Sequence, residues 1–274
     1  MPKLRNKTSQ RRVLHAIHAN AGVTDWYAVE LQSMLRDAIN DAIIMLTPTL
    51  ATPLRVGIIA TDAPSKVTRV DRALKKWGDK WQSKFDKLSR DVSKRFAKRS
   101  FTATDVALKA ALRNAGFTVS FKPTKESLES YKLVVADNVG LIRNLQQELY
   151  NKIQQDTWAS VRAGGDMASL SAKLHKSYGI TADRAALIAK DQNNKAKATL
   201  ESARRQELGL KRSIWQHSGG GKTKRPVHVK WGRDGQEFDN DKGLYDPDEG
   251  QWVLPGMLIN CGCTSRAIIP GFDE

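Results

Sequence analysis

The stretch KVTRVDRALKKWGDKWQSKFDKLSRDVSKRFAKR, residues 66–99, decides the fold. Val70, Leu74, Trp77, Trp81, Phe85, Leu88, Val92 and Phe96 recur every three or four positions with no proline between them. That spacing predicts one long amphipathic helix, roughly 50 Å at 1.5 Å per residue. Its opposite face carries Arg69, Arg72, Lys76, Lys80, Lys84, Lys87, Arg90, Lys94 and Lys98, diluted only by Asp71, Asp79, Asp86 and Asp91. The aromatic face, with Trp77, Trp81 and Phe85 at helical spacing, reads as core or protein interface. Base-stacking aromatics normally stand exposed on sheets.

Working outward, Thr24-Asp25 reads as a helix cap before apolar positions from Tyr27 to Leu46, a helix of about 22 residues. Pro48, Pro53 and Asp62-Ala63-Pro64-Ser65 break the pattern, with Leu54 to Ala60 expected to be extended. A further helix is expected from Thr104 to Ala115, capped by Thr102 or Thr104 at its start and closed by Gly116, and a short strand over Phe117 to Phe121. Helical patterns resume from Thr124 to about Arg162, then to Tyr178, then from Thr181 to Glu207, with breaks at Gly164-Gly165 and Gly179 and an end at Gly209. Beyond Leu210, frequent glycines separate short apolar runs such as Ile214-Trp215 and Trp252-Val253-Leu254, which reads as small strands joined by turns.

The fold class expected is mainly α, with elongated helical N-terminal and central regions and a small turn-rich α+β C-terminal domain. The expected divisions are residues 1–122, 123–212 and 213–274.

A formal charge of +16 on 274 residues, with pI near 9.9, points to a polyanionic partner. Residues 213–274 hold seven Lys/Arg against nine Asp/Glu, so the positive excess belongs to residues 1–212. A charge stripe alone usually marks a solvated helix face. Here the excess is one-signed and continues through Lys122, Lys125, Lys190, Lys195, Lys197, Arg204, Arg205, Lys211 and Arg212, which favours contact. No apolar run of membrane-spanning length occurs, and the basic start (Lys3, Arg5, Lys7, Arg11, Arg12) lacks the apolar core of a signal peptide. The expectation is a protein made in the cytoplasm, with no membrane partner.

The last third concentrates the chemistry: Trp215, Arg225-Pro226-Val227-His228, Pro255-Gly256, then Asn260-Cys261-Gly262-Cys263. Together with Asn138-Val139-Gly140-Leu141-Ile142, Arg184 to Gln192 (RAALIAKDQ) and Arg205-Gln206-Glu207-Leu208-Gly209, this order resembles the phage Mu F-like minor head protein family, also called phage head morphogenesis proteins. The resemblance covers roughly residues 135 to 270.

The resemblance implies a structural, non-enzymatic virion protein acting in head morphogenesis and in genome packaging or ejection. It implies a place in the head interior near the portal vertex, in several copies, beside the portal protein, with the major capsid protein as a second candidate partner, and beside packaged double-stranded DNA held without sequence specificity. The rival reading is a metal-dependent nuclease or toxin-type enzyme. Against it, the chain ends at Glu274, eleven residues past Cys263, with no appended domain.

No cofactor is expected, with zinc the one candidate: His228, Cys261 and Cys263 are its preferred ligand types, and His217 would complete a tetrahedron. One Cys-x-Cys pair is weak spacing evidence. The competing and preferred reading is a small core of buried thiols, with His228 bonded to a backbone carbonyl. The acids Asp234, Glu237, Asp239, Asp241, Asp246, Asp248 and Glu249 fail the calcium-loop register and read as a solvated loop. A nuclease site pairing His228 with Asp234 or Asp239 lacks a second histidine or paired carboxylates. Gly219-Gly220-Gly221-Lys222-Thr223 reads as a flexible turn, since it does not open a helix.

Overall fold

A computed structural model describes residues 12–50, 65–164, 166–219 and 224–270. Among these the protein is mainly helical, with a small sheet region near the C-terminus. The elements are α1 (Ala21–Leu50), α2 (Lys66–Asn114), α3 (Lys125–Arg162), α4 (Met167–Glu207), β1 (Arg212–Gln216), α5 (Pro226–Arg233), β2 (Glu237–Asp239), β3 (Leu244–Asp246), β4 (Gln251–Val253) and β5 (Thr264–Ala267). The expected extended run Leu54 to Ala60 lies outside the described residues.

Three helices run further than their punctuation suggests. The α1 cap is Asn20, whose Oδ1 accepts the Val23 N–H at 3.1 Å, and not Thr24-Asp25. The helix continues through Pro48, which falls in its last turn. Next to it, Thr47 Oγ1 donates to the Ile43 carbonyl at 2.7 Å. The separate helix expected from Thr104 is the end of α2, because the Thr104 hydroxyl donates back to the Ser100 carbonyl at 2.8 Å instead of capping. Likewise α4 passes through Gly179 without a break. Gly116 and Gly209 do end helices, with φ of +90° and +69°.

The chain forms two compact units, each assembled from discontinuous segments: 1–24, 95–134 and 190–274 in one, 25–94 and 135–189 in the other. These are not the three consecutive segments expected, because α2, α3 and α4 each contribute to both units.

The second unit is all helical. Its core takes Tyr27, Leu31, Leu35 and Ile39 from α1, and Val70, Leu74, Trp77, Trp81, Phe85 and Val92 from α2. Leu88 is half-buried. Ile142, Leu145 and Leu149 come from α3, and Leu170 and Leu174 from α4. The two largest fully buried polar side chains in this core find partners, although the Ser93 and Thr157 hydroxyls have none. Trp77 Nε1 donates to the Ala38 carbonyl at 3.0 Å, and the Tyr27 hydroxyl donates to Asn138 Oδ1 at 2.7 Å.

The first unit contains the sheet. Antiparallel strands lie in the order β2-β1-β5, with Ser213 opposite Phe238 on one side and Ala267 on the other. Val13 pairs with Ile268 beyond β5, and the Leu14 N–H donates to the Ala267 carbonyl at 2.8 Å. Leu14, Ile17, Leu108, Leu112, Leu210, Ala267 and Ile269 make one core, onto which Phe117, Val119 and Phe121 pack. That last segment is irregular where a strand was expected: it buries apolar side chains against the core without joining a ladder. β3 and β4 form a separate two-stranded hairpin.

The C-terminal turns of α4 are held by buried charge. Arg204 grips Asp105 through two parallel hydrogen bonds of 2.9 and 3.0 Å and also bonds Glu207. Arg205 pairs with Glu201 and reaches Ser213 of β1 and Ser265 of β5 at 3.0 and 2.7 Å. This joins helix to sheet through groups that cannot be left unpaired.

Candidate functional site

The short helix α5 is set by Pro226 at its first turn, where the missing N–H costs nothing and the fixed φ favours helix. It was not expected from the sequence. It buries His228 and places Trp231, three residues on, against the same surroundings. Their rings stack at 5.2 Å, and Trp215 of β1 meets both edge-on at 4.9 and 4.8 Å. Gly232 permits this approach: a Cβ there would lie 2.5 Å from the Cβ of His217 and 2.7 Å from its backbone nitrogen.

The turn from Pro255 to Cys263 brings the two cysteines to His228. Cys261 Sγ lies 3.6 Å and Cys263 Sγ 3.7 Å from His228 Nδ1, and the three atoms fall within 4.8 Å of one another. All three residues are buried, and both cysteines are free thiols. The turn is positioned by α4. Asp191 Oδ1 accepts the Asn260 N–H at 2.7 Å, and Asn194 Nδ2 donates to the Cys261 carbonyl at 3.3 Å. Asn260 itself takes φ of +58°, a conformation asparagine tolerates better than most residues.

On the far side of the imidazole, His228 Nε2 lies 3.1 Å from Asp246 Oδ2. Asp246 is completely buried, and its other oxygen accepts the backbone N–H groups of Asp248 and Glu249 at 3.0 and 3.3 Å. The expected backbone-carbonyl partner for His228 is therefore replaced by a carboxylate. It is neither Asp234, which pairs with Arg233, nor Asp239, which accepts the Asp241 N–H. Asp246 also departs from the solvated loop expected of its acidic neighbours.

The two thiols are unequal. Cys261 is lowered, chiefly by the neighbouring Cys263 side chain and against the effect of burial. Cys263 is pushed up, first by the neighbouring Cys261 side chain and then by burial. The Ser218 amide and the Trp215 indole act on Cys263 in the opposite sense. The Trp215 indole N–H is buried without a hydrogen-bond partner.

His217 does not join the cluster; its Nδ1 accepts the Gly219 N–H at 3.1 Å. Residues 220–223 of the glycine-rich turn lie outside the described residues. The sequence carried signals for the cysteines and His228, and a weaker one for Trp231 at the i+3 position. Nothing distinguished Asp246 from the acids around it.

Of the cationic residues expected on α2, Arg72, Lys76, Lys80, Lys84, Lys87, Arg90, Lys94 and Lys98 are exposed and Arg69 is half-buried. Lys98 belongs to the first unit, and the others to the second. Lys80 pairs with Asp41 at 2.6 Å, and Lys84 lies 4.5 Å over the Trp81 ring. Burial opposes ionisation of Asp41, yet hydrogen bonds from Lys80 and Trp81 outweigh it and hold its carboxyl below the usual range. Lys197, Arg204 and Arg205 leave the surface set, since each is buried in an ion pair. Lys122, Lys125, Lys190, Lys211 and Arg212 remain exposed.

No family model matches the chain, and no solved structure matches it. It is similar to an uncharacterized protein of Haemophilus influenzae, 24% identical over 276 residues that cover 99% of this chain and 59% of that protein. The chain thus spans about three fifths of that relative's length. No helix among the described residues is long and apolar enough to cross a membrane.

Proposed function

We propose that this chain is a structural, non-enzymatic minor head protein of a tailed phage that lies against packaged duplex DNA through the cationic face of α2. The observation that carries the reading is the exposure of Arg72, Lys76, Lys80, Lys84, Lys87, Arg90 and Lys94 at helical spacing along one element. From Arg72 to Lys94 these side chains span about 33 Å at 1.5 Å rise per residue. One strand of duplex offers a phosphate roughly every 3.4 Å over such a distance. Lysines and arginines on a straight rod contact phosphates without reading bases, so the binding is sequence-tolerant.

The phage context rests on the ordered motifs between residues 135 and 270 and on the net charge of +16. In that context the partners are the portal protein, with the major capsid protein as the second candidate, and several copies lie in the head interior near the portal vertex.

Duplex DNA binding by the purified chain should weaken steeply with salt, with log K falling by about 0.9 per log salt for each phosphate neutralised. Replacing Lys76, Lys80, Lys84 and Lys87 by glutamine should flatten that slope by about three to four contacts' worth. Salt-indifferent binding, or an unchanged slope in the variant, would remove the cationic-face reading. Localising the chain in intact particles tests the head assignment. DNA cleavage with added divalent metal that disappears in His228→Ala would transfer the protein to the nuclease class.

A further inference from the structure

We propose that His228 Nδ1 and the sulfurs of Cys261 and Cys263 hold one zinc-class divalent cation, a structural centre that ties α5 to the 255–263 turn. Three observations lead there. The first is spacing. A tetrahedral centre with bonds of about 2.3 Å to sulfur and 2.0–2.1 Å to nitrogen fixes its N···S edges at about 3.6 Å. The two edges present are 3.6 and 3.7 Å.

The second is the imidazole's orientation. Asp246 is a buried acceptor whose Oδ1 already takes two backbone N–H groups, so His228 Nε2 carries the proton and donates to Oδ2. Nδ1 is left as a bare lone pair, aimed at the two sulfurs. Carboxylate–histidine pairs of this kind orient metal ligands and raise their basicity.

The third is valence. One lone pair accepts one S–H well, yet two sulfurs approach Nδ1 almost equally, and a cation between them satisfies all three atoms.

Soft sulfur with imidazole selects zinc over magnesium or calcium. No fourth histidine, cysteine or carboxylate joins the three among the described residues, and residues 220–223 contain none of these types. Water or another small donor completes the sphere. Binding requires both sulfurs as thiolates, so it releases protons and strengthens as pH rises.

The test uses the full chain, purified without chelator or metal-affinity resin. Elemental analysis should find about one zinc per chain, the stoichiometry of a single site. After exchange, cobalt(II) should give tetrahedral d–d bands together with a sulfur-to-cobalt charge-transfer band. The paired substitution Cys261→Ser, Cys263→Ser should abolish both the metal and the charge-transfer band. The cobalt spectrum of the unaltered chain reads ligand identity even if that variant misfolds. Metal-free protein that takes up no cobalt, cobalt bands without sulfur charge transfer, or full metal content in the double variant would each overturn the proposal.

Discussion

Tyr27 joins burial to a measurable titration. Its hydroxyl is enclosed in the helical unit and donates to Asn138, and burial raises its pKa above the ordinary value. A phenol whose folded pKa exceeds its unfolded value favours folding fully below the unfolded pKa of about 10, and that contribution drains away as pH climbs past it. Stability by denaturant titration should therefore fall as pH rises beyond about 10 in the parent chain, and fall less in Tyr27→Phe. The same substitution should cost about 1–2 kcal/mol at neutral pH by leaving Asn138 one partner short. An identical alkaline slope in both chains would remove Tyr27 from the account. His228 makes the related point for reading sequences. Its residue type and its two sulfur neighbours were visible, but its buried carboxylate was not, because one acid among seven carries no mark of burial.

At the level of elements, the 3.6-residue period of residues 66–99 placed a helix and assigned its buried and exposed faces. Local punctuation was the poorer guide. Thr104, Pro48 and Gly179 were read as boundaries, and each lies inside a helix. Long helices continue where tertiary burial on both sides of a weak residue outweighs its propensity cost, which for a glycine is only about 1 kcal/mol. That cost is recoverable at Gly179, which is exposed, with nothing within 4 Å of a Cβ built there. Gly179→Ala should raise stability by about 0.5–1 kcal/mol, seen as a higher thermal midpoint. A lowered midpoint would mean the glycine serves a purpose that the isolated chain's packing does not reveal. α5 was missed for the opposite reason: eight residues are too few to show a period, and Pro226 signals a helix start only once the following turn is known.

Across the whole molecule, mainly helical content with a small C-terminal sheet was legible, while the grouping of segments was not. Sequence-local texture placed a boundary near residue 213, where glycine and short apolar runs begin. The contacts ignore it, since Arg205 bonds Ser213 and Ser265, and Asp191 and Asn194 fix the cysteine turn. Residues 213–274 expressed alone should consequently remain unfolded, with a collapsed amide proton spectrum, whereas the full chain should show dispersed signals. A well-dispersed spectrum from that fragment would restore the boundary drawn from texture.

Val13 pairs with Ile268, and Leu14 with Ala267. During synthesis the ribosome must extend the chain from residue 14 to residue 267 before these two segments can meet. Leu14 and Ile17 spend that interval without Ala267 and Ile269, so this core closes late, through contacts of large sequence separation that form slowly and leave an opening for chaperones to act.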